Sequence, residues 1–132
     1  MKNWVCKAIE LLTKSIESVP VELNELDWKQ NLSPNEDRLA EHISAFANLP
    51  GGGFFVFGIK DETLQITGIN KDQANEIVEK LSNIAQNRME PPVQIDHYIT
   101  EYKNVPILFC YIKESNIRKP VKHIFASPLL YL

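Results

Sequence analysis

Polar and apolar positions divide the chain into segments of alternating period. Over residues 2–17, Val5, Ala8, Ile9, Leu12 and Ile16 recur at helical spacing and predict an amphipathic N-terminal helix. A loop then leads into a strand around Leu26–Trp28. The next helix should open at Ser33-Pro34-Asn35-Glu36. There Ser33 can cap the free amides, Pro34 suits the first helical position, and Glu36 can reach back as a capping box. Leu39, Ile43, Phe46 and Ala47 form its buried face, and Pro50-Gly51 stops it. Phe54 to Ile59 is almost wholly apolar and too short for a typical helix, so it reads as a central strand covered on both faces.

After a turn at Asp61-Glu62, Leu64 to Ile69 is expected to return as a strand in an antiparallel hairpin with that central strand. Asn70, with Gln73 at the capping-box position, should start a third helix running from about Lys71 to Arg88. Its buried stripe is Ala74, Ile77, Val78, Leu81 and Ile84, and Pro91-Pro92 breaks it. Val93–Thr100 and Pro106–Ile112 predict a further hairpin around Glu101–Asn104, and Ile124 to Leu132 a last edge strand. Helices interleaved with hairpins give an α+β class, with helices packed on a mixed, largely antiparallel sheet. At 132 residues the chain reads as one domain, with residues 1–18 an extra N-terminal helix.

Composition narrows the function. The 44% hydrophobic and 23% charged content is ordinary for a globular protein, and no apolar run reaches the length of a membrane span. The first residues lack a signal-peptide pattern, since Glu10 interrupts the apolar part and no A-x-A site follows. Cys6 and Cys110 stand apart without metal spacing, which is expected of reduced thiols in a cytoplasmic protein. A net charge of −3 argues against a protein that coats DNA indiscriminately. Charge is nonetheless uneven. Lys113, Arg118, Lys119 and Lys122 face only Glu114 in the stretch that ends at His123, which makes a local cationic edge or an ordinary solvated loop.

Gly51-Gly52-Gly53 supplies positive φ or close backbone approach. The glycines read first as a helix-to-strand turn and second as a phosphate cradle, and the absence of GxxxxGK[ST] or GxGxxG argues against a nucleotide-hydrolysing P-loop. No Ser/His/Asp or Cys/His constellation can be assembled from the dispersed His42, His97 and His123. Trp4, Trp28 and Tyr131 are candidates for stacking on bases or, more commonly, for the core.

Taken in order, ELDWK at 25–29, the stretch EHISAFANLPGGGFFVFGIKD at 41–61 and KPV at 119–121 resemble the Schlafen AlbA-like domain over roughly residues 20–122. The resemblance implies a nucleic-acid-binding module of a bacterial-type transcriptional regulator, with DNA a more probable partner than RNA and no cofactor. Contact with the phosphate backbone would run through Lys29, which matches the family's motif lysine, and through Arg118, Lys119, Lys122 and His123. In Schlafen proteins that cleave RNA, two acids five residues apart precede a glutamate-phenylalanine-lysine motif, and a third acid follows the strand after the glycines. Glu22 and Asp27 keep that spacing, Asp27-Trp28-Lys29 stands in the motif's place, and Asp61 ends the strand. The alternative reading is therefore a nuclease holding Mg²⁺ or Mn²⁺ on Glu22, Asp27 and Asp61. Asp27 is one methylene shorter than the motif glutamate, which favours binding over catalysis. A third reading is a protein-interaction or assembly domain.

Family members usually continue past KPV into a tyrosine-arginine-glycine segment, whereas this sequence ends at Tyr131-Leu132. It is expected to be either a short stand-alone member or a domain cut from a longer protein. One lobe supplies half of the two-lobed Schlafen groove, so a homodimer is expected. The N-terminal helix, with Trp4, Val5, Ile9 and Leu12 on one face, would either join two copies or pack on the chain's own sheet.

Overall fold

Three helices, α1 (Asn3–Glu17), α2 (Glu36–Ala47) and α3 (Lys71–Asn87), flank a sheet of β1 (Leu26–Lys29), β2 (Gly53–Phe57), β4 (Ile95–Tyr102) and β5 (Val105–Ile112). β3 (Met89–Glu90) pairs with β6 (Lys122–His123) in a separate two-stranded ladder. The computed structural model describes residues 2–17, 25–60, 63, 65–115 and 122–123, with the side chains of 122 and 123 left aside. The order in the main sheet is β1-β2-β5-β4. β1 runs parallel to β2, and the other pairs are antiparallel, so the α+β sheet is mixed.

β2 is buried at every position, and its alternation sends side chains into two cores. Phe54 and Val56 meet Ala8 and Leu12 of α1, together with Leu26, Trp28 and Phe109. Phe55 and Phe57 meet Leu39, Ile43 and Phe46 of α2, Leu81 of α3 and Leu108 of β5. The apolar face of α1 thus packs on the chain's own sheet, the second of the two placements its pattern allowed. Trp4 lies on Phe54 and Tyr111, with ring centroids 6.1 and 5.5 Å away. Its indole Nε1 donates to Asp96 Oδ2 at 2.9 Å, and Lys2 pairs with the other oxygen of the same carboxylate, tying the start of α1 to β4. No described helix is long and apolar enough to cross a membrane.

The helix starts follow competition among capping groups. α3 begins with the expected capping box, the Gln73 amide donating to Asn70 Oδ1 at 2.8 Å and the Asn70 amide to Gln73 Oε1 at 3.2 Å. α2 differs from expectation, because its cap is Asn35 and not Ser33. Asn35 Oδ1 accepts from the Arg38 amide at 3.2 Å, while Ser33 Oγ accepts from the Asn35 amide. Ser33 precedes proline, which disfavours helical backbone there, and an equally good capping residue stands two positions on. Glu36 and Asp37 then fill the first turn, where the helix dipole favours acids.

The hairpin expected between the central strand and residues 64–69 is, among the described residues, a short antiparallel contact outside the main sheet, with a bridge from Ile59 to Ile66 and the Lys60 amide donating to the Gln65 carbonyl. Gly58 and Gly68, at φ +111° and +78°, turn the chain out of the sheet, and the amides of Thr67 and Gly68 both donate to the Gly58 carbonyl. The antiparallel neighbour of β2 is β5 instead, with Phe55 opposite Cys110. The β4–β5 hairpin is present two residues later than expected at its first strand. It closes on Lys103-Asn104, both at positive φ, which is the two-residue turn matched to strand twist. Residues 124–132, expected as an edge strand, lie outside the described residues.

Entry into β2 depends on two glycines. A Cβ on Gly52, whose φ is +77°, would stand 2.2 Å from the Ile112 carbonyl oxygen, and one on Gly53 would stand 2.1 Å from Phe46 Cδ1. Gly52→Ala is therefore expected to cost about 2–4 kcal/mol, from forced backbone strain and overpacking together. A urea melt checks this; a variant within half a kcal/mol of the parent would contradict the placement of the turn.

Asp96 gives a second prediction, in acid. Its partial burial opposes ionisation, but hydrogen bonds from Lys2, Trp4 and the His97 amide outweigh that and hold its pKa at about 2 instead of 3.8. A carboxylate depressed in the folded state adds stability above its unfolded pKa, and that contribution disappears as pH falls from about 4 towards 2. Asp96→Asn should be less stable than the parent at pH 7, by about 1–2 kcal/mol allowing for solvent screening. The two proteins should converge near pH 2, and parallel stability curves across that range would exclude this role.

Candidate nucleic-acid interface

β1 is the edge strand next to β2, and its period of two sorts its residues by side. Leu26 and Trp28 point into the α1 core, so Asp27 and Lys29 project towards α2. Parallel register sets Asp27 beside Phe55 and Lys29 beside Phe57. From α2, His42 lays its ring over Phe55, nearly coplanar at 16° and 6.1 Å between centroids. His42 Nδ1 and Lys29 Nζ then both stand 3.3 Å from Asp27 Oδ2. That oxygen is buried and has no partner in hydrogen-bond geometry, so the Lys29 contact rests on charge and not on a directed bond, with the His42 ring packed beside it.

Asp27 and Lys29 are largely covered, with side chains 14% and 17% exposed, while His42 reaches the surface at 33%. In such a half-buried setting the pair is screened less than a surface ion pair, so the Lys29 ammonium is positioned but partly neutralised. Sequence reasoning selected Asp27 and Lys29 and left His42 as a bystander to its helix. The missing signal was the parallel β1–β2 pairing, which brings α2 over β1 and which no local pattern encodes.

The remaining predicted site residues divide. Glu22, Asp61, Arg118 and Lys119 lie outside the described residues. Lys122 and His123 form β6, in register with Glu90 and Met89, and β6 runs alongside α2. The backbone of Lys122 and His123 thus lies on the side of the sheet that carries Asp27 and Lys29. Among the described residues no group of three His, Cys, Asp or Glu could hold a metal ion. Asp27, the described member of the acidic trio, has its buried oxygen between a lysine and a histidine.

The glycine turn is engaged within the protein. The Gly51 amide donates to Glu114 Oε1 and the Gly52 amide to the Leu49 carbonyl, each at 3.0 Å, and Tyr111 Oη donates to the Gly51 carbonyl. Two of the amides that a phosphate cradle would use are therefore taken. Arg88, which sequence reasoning passed over, ends α3 and forms ion pairs with Asp37 and Glu36 at the start of α2. Trp28 is buried, Trp4 is packed as described, and Tyr131 lies outside the described residues. Burial pushes the Cys110 thiol far up, so it behaves as a core side chain.

Comparison with known proteins bears on the fold and the family. The N-terminal domain of a RecG-related protein from Nitrosomonas europaea superposes with a TM-score of 0.68 at 15% identity, covering 91% of this chain and 82% of that one. The DIP2311 protein from Corynebacterium diphtheriae gives 0.55 at 18% identity, covering 90% of this chain and 23% of that protein, so this chain corresponds to about a quarter of it. At these identities the likeness is one of fold. No curated protein matches the chain. The Schlafen, AlbA_2 family matches residues 22–126, from before β1 to beyond β6, and the chain belongs to that family.

Proposed function

We propose that the chain is a nucleic-acid-binding domain of a bacterial-type transcriptional regulator that grips the phosphate backbone, of DNA before RNA. Membership of the Schlafen AlbA_2 family carries this reading, since the matched span includes both Lys29 and the basic segment. The course of β6 along α2 supports it, because the backbone of Lys122 and His123 and Lys29 then share one side of the sheet. The Nitrosomonas europaea relative in fold is named for a DNA helicase, which points the same way. Contacts of this kind are electrostatic and weakly selective for sequence.

Replacing Arg118, Lys119 and Lys122 together with alanine should weaken binding to duplexes of unrelated sequence alike. It should also reduce the slope of log affinity against log salt by roughly 3, about one per lost phosphate contact. Fluorescence anisotropy with labelled duplex and single strands reads both effects. Unchanged affinity at low salt would remove the segment from the site.

Metal-dependent cleavage needs Glu22 and Asp61 beside Asp27, and the two basic partners on Asp27 speak for a positioning role instead. Asp27→Asn separates the readings. If Asp27 restrains Lys29, the variant should bind nucleic acid a few-fold more tightly, because an anion leaves the contact surface. If Asp27 is a metal ligand, the parent should cleave RNA or DNA with Mg²⁺ or Mn²⁺ and the variant should not. Metal-stimulated cleavage by the pure parent, lost in the variant, would overturn the binding-only reading.

A further inference from the structure

β4 is the outer strand of the main sheet, and among the described residues no strand pairs with its free side. It is long for an edge, eight residues from Ile95 to Tyr102. Tyr102 and Val105 flank the two-residue turn and form the closing hydrogen-bonded pair of the hairpin. Backbone groups of Tyr98, Thr100 and Tyr102 therefore turn towards β5, and those of His97, Ile99 and Glu101 turn outwards. The Lys2 ammonium, 3.1 Å from the His97 carbonyl, reaches that oxygen from the open side and agrees with this polarity. The same three residues have exposed side chains, and Ile99, at 41%, is an exposed large apolar residue.

We infer that this edge binds a second copy of the chain, β4 against β4, antiparallel about a two-fold axis through Ile99. The argument is complementarity. With the axis at Ile99, the exposed face reads His97, Ile99, Glu101 against Glu101, Ile99, His97 of the second copy. Two imidazole–carboxylate pairs then flank an isoleucine pair, and every facing residue has its backbone groups turned outwards. Moving the axis to Tyr98 or Thr100 sets Ile99 against His97 or Glu101. Moving it to Glu101 opposes two carboxylates. An axis at His97 would set Ile99 against Ile95 but oppose two imidazoles and place Glu101 against Val93, so the Ile99 register alone joins an isoleucine pair to two imidazole–carboxylate pairs, as a self-complementary isologous interface requires. Lys2 yields the His97 carbonyl and Asp96 Oδ1 yields the His97 amide, while the ion pair between Lys2 and Asp96 is kept.

Pairing in this way makes one continuous sheet of twice four strands, with the axis perpendicular to it and both α2 layers on the same side. The two β1 strands stand seven strand spacings apart, ~34 Å before sheet twist is counted, close to one turn of DNA. That consequence rests on the nucleic-acid reading; the edge pairing itself does not.

Sedimentation equilibrium on the full chain, free of nucleic acid, tests the pairing from micromolar to submillimolar concentration. A reversible dimer is expected. His97→Glu alone should weaken it roughly tenfold or more, because the two-fold axis doubles the carboxylate–carboxylate pair it creates, and Glu101→Lys alone should weaken it by removing both imidazole–carboxylate pairs. The double variant should restore it by exchanging the signs across the axis. Circular dichroism and a urea melt establish that each variant is folded. A monomer throughout the range overturns the inference, as does a dimer that the single variants leave intact or the double variant fails to rescue. Because no nucleic acid is present, failure here leaves the anisotropy result standing, and the reverse is equally true.

Discussion

Burial of β2 on both faces is the constraint on which the other described parts depend. Its four consecutive large apolar residues cannot be hidden by one layer, since alternate side chains leave a strand in opposite directions. Two helical layers are therefore required, and the chain provides α1 for one face and α2 with α3 for the other. The same demand explains the glycines. A strand enclosed on both faces and between two neighbours must be entered through a narrow gap, where Gly52 passes the Ile112 carbonyl and Gly53 passes the Phe46 ring. Glu114 and Tyr111 close the turn from β5 and the residue run after it. The glycine triplet is thus explained by packing before any ligand is invoked.

The position of the charged site follows from that arrangement. Among the described residues β1 pairs with β2 at one side only, so it can bury one face under α1 while its other face lies at the border of α2. A lysine and an aspartate two residues apart on that border are forced onto the same side. Removing them partly from water strengthens their interaction and obliges each to find a partner. His42 completes the set because Phe55, one strand inwards, offers a flat surface for its ring. An apolar core residue therefore sets the geometry of a polar cluster that faces outward.

Local patterns revealed the helices, the central strand and the β4–β5 hairpin, because amphipathic period, capping boxes and a two-residue turn are encoded within a few residues. They failed where partners come from far along the chain. The apolar run before Gly58 was given the next apolar segment as its hairpin partner, yet Gly58 and Gly68 redirect the chain and β5 takes that place. The β3–β6 ladder joins segments too short to carry any period at all. For the site, Lys29 and Asp27 were legible through family resemblance, and their sharing of one face through strand alternation. His42 was not, since its approach depends on how α2 crosses a parallel strand pair.

An acidic chain that binds a polyanion must do so through placement of a few cations, because its mean field is repulsive. Screening makes this feasible: at physiological salt a charge more than about 8 Å away counts for little, so local composition outweighs the net charge. Three described acids on this side of the sheet stand in ion pairs, Asp27 with Lys29, and Asp37 and Glu36 with Arg88. On the proposed reading, such internal pairing would lower the repulsion a phosphate meets without adding net positive charge. It also gives Lys29 a fixed direction, which a free surface lysine lacks, at the expense of some attraction. A domain built in this way gains orientation on the backbone more readily than raw affinity, and a second copy or a further domain would supply the remaining strength by holding two such sites at once.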